Sequence, residues 1–197
     1  MMERVLVIYG TTHGQAAKVA RATAEELRRS GADADVVEAS TRAPGPDTYD
    51  GVIVVGSVHA RGYQRPLRRW VRTHADTLQE KPSAFVSVCL GVLQRDPVVD
   101  RALSGIRDAF YAATGWHPTL VAVVAGALPY TQYDPLTRWM MRRIVAKAKG
   151  DTDTSRDYEY TDWEAVRRFA GEFALRVSEQ KRPRMAPAAG SAAALWP

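Results

Sequence analysis

A run of hydroxyl, imidazole and glycine residues follows the first apolar stretch of the chain, at residues 5–9. The run reads Gly10-Thr11-Thr12-His13-Gly14-Gln15-Ala16 and leads directly into a helical pattern. Hydroxyl and backbone N–H groups at the start of a helix face the positive end of its dipole, which suits a phosphate dianion. The run lacks the Gly-Lys-Ser/Thr of a Walker loop and the spaced glycines of a dinucleotide fingerprint. It predicts a phosphate site, and the alternative is a threonine-rich turn that only caps the helix.

Strand-like and helical patterns alternate along the rest of the sequence, as is typical of parallel α/β folds. Apolar, β-rich runs predict strands at residues 5–9, 34–39, 52–55, 83–90 and 120–125. Helical spacing predicts helices at residues 16–29, 66–71 and 98–114, and a last helix from Thr161 onward. We therefore expect a doubly wound sheet of five parallel strands in the order 2-1-3-4-5, which is that of flavodoxin-like folds.

The length and composition predict a single domain with a tail. The chain has 197 residues, of which 46% are hydrophobic and 25% are charged. An extra helical segment at residues 129–160 follows the fifth strand, and the next four residues, Thr161-Asp162-Trp163-Glu164, have the form of a capping box with Thr161 as N-cap. We predict one domain over residues 1–178 and a disordered tail over residues 179–197, where the composition shifts to Lys-Arg-Pro-Arg and then to Ala and Pro.

Residues 9–15, Tyr-Gly-Thr-Thr-His-Gly-Gln, resemble the phosphate loop of flavodoxins, which bind FMN without a positive side chain. The resemblance implies FMN as the cofactor, with Thr11, Thr12, His13, Gly14 and Gln15 around its phosphate. Flavodoxins usually have a threonine at the position of Ala16. One hydrogen bond to a charged acceptor contributes about 1.5–3 kcal/mol, so Ala16 implies a lower affinity for FMN.

The same resemblance implies that two further loops frame the flavin ring. The implied cofactor-binding residues are Ser57, Val58, His59 and Tyr63 after the third strand, and Cys89, Leu90 and Gly91 after the fourth. Tyr63 or His59 would stack on one face of the ring, with Leu90 or Val92 on the other. The alternative for Tyr63 is a surface anchor. We expect Cys89 to be a small buried apolar residue rather than a redox thiol.

A closer resemblance covers nearly the whole chain up to Arg176. In their order along the chain, the stretches at residues 81–85, 124–128, 150–154 and 160–164 are similar to the menaquinone-dependent protoporphyrinogen dehydrogenase family. The family implies FMN-dependent oxidation of protoporphyrinogen IX to protoporphyrin IX, with a quinone as acceptor, in haem biosynthesis. The flavin ring itself accepts hydride, so no catalytic acid or base is assigned. His59 and Arg61 would either orient substrate propionates or be solvated loop residues.

Residues 135–150 contain five basic residues and no acidic one. A helical wheel places Met140, Met141, Ile144, Val145 and Ala148 on one arc, and Arg138, Arg142 and Lys149 on another. A basic amphipathic helix is typical of peripheral contact with a membrane surface or of a partner-binding element. The alternative is a helix that docks its apolar arc on the sheet and leaves solvated arginines outside.

Charge, cysteine content and hydropathy limit the classes of function. The 27 Lys and Arg residues exceed the 22 Asp and Glu residues, and the net charge of +5 disfavours an electron carrier of the usually acidic flavodoxin type. No reading helix for DNA and no metal-ligand spacing is present in the sequence. The single Cys89 and the absence of a long apolar run predict a cytoplasmic protein. The basic helix, together with the lipid-soluble quinone that the family resemblance implies, predicts peripheral contact with the inner face of the cell membrane. Two alternatives remain: a flavodoxin-like FMN electron carrier, and a regulatory domain without flavin, which only Ala16 supports.

Overall fold

Five parallel strands form the central sheet of the computed structural model, which describes residues 2–59, 62–147 and 150–181. The strands are β1 (Arg4–Gly10), β2 (Asp33–Glu38), β3 (Gly51–Ser57), β4 (Ser83–Val88) and β5 (Leu120–Val124). Their order is β2-β1-β3-β4-β5, and each neighbouring pair is parallel. The predicted doubly wound sheet is therefore confirmed, including its strand order.

Helices cover both faces of this sheet. They are α1 (Gln15–Arg29), α2 (Arg65–Thr73), α3 (Ala75–Glu80), α4 (Pro97–Thr114), α5 (Pro135–Lys147) and α6 (Trp163–Lys181). Pro66 lies in the first turn of α2, where its missing N–H costs no hydrogen bond. Gly31 and Gly115 follow the ends of α1 and α4 with φ values of 93° and 72°, which glycine adopts without strain.

The alternation of side chains along β1 divides the core into two layers. Val5 and Val7 pack with buried residues of α1 and α6 on one face of the sheet. Leu6 and Ile8 pack with α2 and with Phe110 of α4 on the other face. Because both faces are covered, residues 5–8 are fully buried, which explains why the sequence of this strand is apolar without alternation.

The segment after β5 forms a small unit of its own. Its two short strands, β6 (Ala127–Leu128) and β7 (Tyr158–Glu159), pair antiparallel, and α5 lies between them in the sequence. Buried side chains of Leu128, Tyr130, Tyr133 and Val145 form its core. The extra helix was predicted, whereas the pairing of β6 with β7 was not, because strands of two residues leave no periodic pattern.

The start of α6 corrects one prediction. The carboxylate of Asp162 accepts a hydrogen bond from the Ala165 N–H at 2.9 Å, so Asp162, not Thr161, caps the helix. The Thr161 hydroxyl instead donates to the carbonyl oxygen of Ala125 at 2.8 Å, which joins this segment to the end of β5. The helix continues to Lys181, whose ammonium lies 3.0 Å from the Asp50 carboxylate.

The predicted disordered tail, residues 179–197, begins within this helix, since its first three residues are helical. Residues 182–197 lie outside the described part of the chain. None of the described helices is both long enough and apolar enough to cross a membrane.

Candidate functional site

A cavity of about 600 Å³ lies at the carboxyl ends of β1, β3 and β4. Ten of the twelve predicted cofactor-binding residues line it, namely Thr11, Thr12, His13, Gln15, Ser57, Val58, His59, Cys89, Leu90 and Gly91. The other two, Gly14 and Tyr63, do not. The topology explains this convergence, because the loops that leave the carboxyl ends of neighbouring parallel strands meet at one edge of the sheet.

The first loop is shaped by Gly14, which precedes α1. Gly14 has a φ of 85°, a conformation that strains other residues, and its N–H donates to the Thr11 hydroxyl oxygen at 2.9 Å. The loop therefore turns tightly into the N-terminus of α1, with Thr11 and Thr12 at the cavity. Ala16, in contrast, is fully buried in the core between the sheet and α1.

The Gln64 side chain connects this first loop to the end of β3. Its Nε2 donates to the Thr12 hydroxyl at 2.9 Å and to the Ser57 hydroxyl at 2.8 Å. It also donates to the Ser57 carbonyl oxygen at 3.2 Å. Sequence analysis did not identify Gln64, because nothing in its local pattern indicates that it contacts Thr12, which lies 52 positions earlier in the chain.

Gln15 and Lys18 connect α1 to the segment that precedes α6. The Gln15 amide donates to the Thr161 hydroxyl at 2.8 Å, and the Lys18 ammonium lies 2.8 Å from the Glu159 carboxylate. The hydrogen bond from Lys18 is the main cause that holds the pKa of Glu159 below its usual value. Burial acts in the opposite direction, and the hydrogen bond from Trp163 lowers the pKa further. The first turn of α1 is thus joined to the segment that precedes α6 by two side-chain contacts.

Two imidazoles and a phenol meet at the wall of the cavity. The His13 ring packs edge-on against His59 at 5.5 Å and against Tyr133 at 5.1 Å between ring centroids. Partial burial, and then the charge of His59, lower the pKa of His13, so its neutral form is favoured. Burial also raises the pKa of Tyr133 to about 12, which keeps its hydroxyl protonated at neutral pH.

Tyr133 is a cavity residue that sequence analysis missed. It lies in the segment after β5, and its ring is 7% exposed. Other lining residues outside the prediction are Val88, Gln94, Leu103, Ile106, Gly126, Ala127, Thr137 and Met141. The sequence predicted the extra helix of this segment, but it assigned none of the segment's residues to the site.

Apolar side chains and the single cysteine of the chain form part of the cavity wall. Cys89 is 6% exposed, and burial raises the pKa of its thiol. Val58 and Leu90 also line the cavity, whereas Val92, the alternative to Leu90, does not. Cys89 is thus a buried thiol, in agreement with its expected role as a small apolar residue.

Tyr63 is half-buried and packs against the core rather than lining the cavity. Its hydroxyl shares a 2.7 Å hydrogen bond with Ser87, and its ring packs edge-on against Phe85 and Phe110, each at 5.0 Å. A Cβ on Gly56 would lie 2.7 Å from this ring, so the glycine provides the space that the ring occupies. Of the two aromatic residues proposed to stack on a ligand, His59 lines the cavity and Tyr63 does not.

The described lining residues carry no carboxylate, lysine or arginine. Arg61, which was considered as a substrate-orienting residue, lies outside the described residues. Within the described part of the chain, no group of three or more His, Cys, Asp or Glu side chains could hold a metal ion. Hydroxyl groups at one end and apolar side chains along the walls suit a ligand with a phosphate and a flat ring.

Helix α5 contributes Thr137 and Met141 to the cavity and has a second, exposed side. On that side Leu136 is 74% exposed and Trp139 is 57% exposed, and the Arg143 guanidinium lies 5.1 Å from the centre of the Trp139 ring. Arg138 donates to the carbonyl oxygens of Tyr130 and Tyr133, at 2.8 and 3.0 Å, and so fixes α5 to the preceding turn.

Only some residues of the apolar arc predicted for α5 lie within the described part of the chain. Met141 and Val145 pack toward the small core of this segment, as the predicted apolar arc requires. The side chains of Met140 and Ile144, and residues 148 and 149, lie outside the described part. The exposed pair, Leu136 and Trp139, was not predicted, although a tryptophan among arginines is itself a signal of an interfacial helix.

Comparisons with known sequences agree with one another. The family described as "Flavodoxin domain" matches residues 6–155. Protoporphyrinogen IX dehydrogenase (quinone) of Escherichia coli strain K12 is 34% identical over 172 residues, which are 87% of this chain and 94% of that protein. The protein of the same name from Leishmania major is 30% identical over 187 residues, which are 92% of this chain and 79% of that protein.

Solved structures show the same fold at low sequence identity. Oxidised flavodoxin 1 from Bacillus cereus superimposes with a TM-score of 0.53 at 14% identity, covering 87% of this chain and 97% of that one. The flavodoxin of Streptococcus pneumoniae TIGR4 gives a TM-score of 0.52 at 15% identity, covering 90% of this chain and 99% of that one.

Proposed function

This chain belongs to the flavodoxin-domain family, and we propose that it is an FMN-dependent enzyme that oxidises protoporphyrinogen IX to protoporphyrin IX with a quinone as electron acceptor. The observation that carries the proposal is the extent of the match to the Escherichia coli dehydrogenase. It covers 94% of that protein, so the two chains correspond over almost its whole length and not only over a shared motif.

The residues at the cavity fit FMN. The hydroxyls of Thr11, Thr12 and Ser57 provide donors for a phosphate beside the N-terminus of α1. Val58 and Leu90 provide apolar contacts for a ring, and a volume of about 600 Å³ lies within the usual range for small-molecule sites. Ala16 is buried in the core and takes no part in this lining, so the site is formed without the hydroxyl that flavodoxins usually have there.

A bound flavin would supply the two-electron acceptor, since its ring takes up hydride. The part left to the protein is to hold the ring, exclude water and present an apolar surface to a large flat substrate. The described lining residues suit this task because they carry no carboxylate, lysine or arginine, and because the hydroxyl of Tyr133 stays protonated. No catalytic acid or base is assigned.

The acceptor we propose is menaquinone, and the location we propose is the cytoplasmic face of the membrane. A lipid-soluble acceptor requires that the cavity approach the bilayer. The exposed side of α5 supports such contact, because Leu136 and Trp139 would enter the interface while Arg142 and Arg143 face anionic headgroups. The same helix lines the cavity through Thr137 and Met141, so contact through α5 would bring the site close to the lipid.

The decisive experiment combines a spectrum with an assay. The purified chain is titrated with FMN and followed by visible absorption, and the loaded protein is then given protoporphyrinogen IX with menaquinone or a soluble quinone. We expect a yellow protein and the appearance of porphyrin fluorescence. A yellow protein that a flavodoxin reductase reduces rapidly, but that turns over no porphyrinogen with any quinone, would instead be an electron carrier. A protein that stays colourless with FMN would overturn the proposal.

A further inference from the structure

Gln64 lies between two loops of the cavity without lining it. Its Nε2 donates to the hydroxyl oxygens of Thr12 and Ser57, at 2.9 and 2.8 Å, and to the Ser57 carbonyl oxygen at 3.2 Å. A carbonyl oxygen can only accept, so it fixes which end of the amide faces the loops. The two hydrogens of the amide serve these acceptors, one on Thr12 and one shared by the two oxygens of Ser57.

This arrangement determines which further hydrogen bonds the hydroxyls of Thr12 and Ser57 can form. Each accepts a hydrogen bond from Gln64 and keeps one hydrogen of its own. Within the described residues neither Thr12 nor Ser57 donates that hydrogen to a protein acceptor, and both line the cavity. Thr161 is a contrasting case, because it accepts from Gln15 and donates its hydrogen to the Ala125 carbonyl.

We propose that Gln64 is a positioning residue that fixes the Thr12 and Ser57 hydroxyls as hydrogen-bond donors toward the FMN phosphate. The inference rests on FMN binding in the proposed function. A phosphate dianion offers only acceptors, and a free hydroxyl would rotate among alternatives before binding it. An amide that already donates to the hydroxyl oxygens removes those alternatives, so part of the ordering is complete before the ligand arrives.

The Oε1 atom of Gln64 indicates that a contribution to folding stability does not by itself explain why this residue is a glutamine. Its Oε1 is buried and has no hydrogen-bond partner within the described residues. A buried oxygen without a partner is destabilising, so an apolar side chain of similar size would serve packing better. The contacts of Nε2 with the two loops provide the reason for an amide at this position.

The test compares two ligands that differ by the phosphate. Dissociation constants for FMN and riboflavin are measured by flavin fluorescence for the full chain and for Gln64→Met. We expect FMN binding to weaken about 10- to 100-fold, as for the loss of charge-assisted hydrogen bonds, and riboflavin binding to change less than about twofold. Gln64→Glu should weaken FMN binding further, because a carboxylate takes the hydroxyl hydrogens and repels the phosphate. The control is Gln79→Met on α3, which is exposed and does not line the cavity.

A double-mutant cycle tests the route by which Gln64 acts. In a chain that already carries Thr12→Val and Ser57→Ala, Gln64→Met should have no further effect on the affinity for FMN. Equal losses for FMN and riboflavin, or an undiminished effect of Gln64→Met in the cycle, would overturn the inference and leave the proposed function standing. If the unmodified chain bound neither ligand, the proposed function and this inference would both be overturned.

Discussion

The Gln15 amide donates to the Thr161 hydroxyl at 2.8 Å, across 146 positions of sequence. Thr161 donates in turn to the carbonyl oxygen of Ala125, the residue that follows β5. This relay joins the first residue of α1, the end of the sheet and the start of α6. The segment between Ala125 and Thr161, which carries Tyr133 and α5, leaves the sheet and returns to it at this point. The relay therefore fixes both ends of the segment.

We predict that Thr161→Val lowers the free energy of unfolding by about 1–3 kcal/mol. Valine has nearly the same shape, but it leaves the Gln15 amide and the Ala125 carbonyl without their partner. Urea unfolding of the apoprotein measures the change. The control is Thr41→Val, which removes an exposed hydroxyl that donates to the Glu38 carbonyl, and which should cost less than about 0.5 kcal/mol. Equal costs at the two sites would contradict the prediction.

A second prediction concerns Ala16, the position where flavodoxins usually have threonine. Ala16 is fully buried in the core, and it does not line the cavity. Ala16→Thr would add two heavy atoms to a packed region, and we expect a loss of about 1–3 kcal/mol of stability without tighter FMN binding. Urea unfolding and FMN titration of the same preparation check both parts. Binding that tightens tenfold or more, at unchanged stability, would show that the side chain reaches the phosphate.

The sequence was sufficient to predict the sheet and the loops after β1, β3 and β4 that line the cavity, for a physical reason. Strand positions such as residues 5–9 are recognised because burial on both faces demands apolar runs, and parallel topology then brings the loops after them together. Gln64 and Tyr133 could not be found in this way, since their roles depend on contacts with distant residues. Tyr63 was expected beside the cavity but does not line it, because its ring packs into the space above Gly56, which no local pattern reveals.

The lowered pKa values of two histidines predict how the free energy of unfolding changes with pH. Burial lowers the pKa of His13 and of His74 below 6.5, an effect that Asp47 opposes at His74. The unfolded chain therefore binds more protons than the folded chain as the pH falls through 6.5, and stability decreases until the folded-state pKa is passed. His13→Asn should make the loss of stability as the pH falls below about 6.5 smaller, as measured by urea unfolding over a series of pH values.

A variant at His74 separates the two contributions. His74→Asn should also reduce the dependence on pH, and the double variant should reduce it by the sum, because the two rings lie in different clusters. If His13→Asn left the slope of stability against pH unchanged, the protonation of this ring would be the same in the folded and unfolded chains, contrary to the effect expected from its partial burial.

The exposed side of α5 makes the membrane proposal testable apart from catalysis. Leu136→Asp with Trp139→Asp places two acids where we expect apolar contact with the interface, and should lower binding to vesicles rich in phosphatidylglycerol at least about tenfold. The matched control is Leu175→Asp on α6, a leucine that is 65% exposed. Co-sedimentation measures binding. In the proposed orientation Arg142 and Arg143 would face anionic headgroups, so added salt should weaken binding of the unmodified chain. With a soluble quinone the double variant should keep its rate, whereas with menaquinone in the vesicles it should slow. Vesicle binding that is unchanged in the double variant would place the lipid contact elsewhere on the protein.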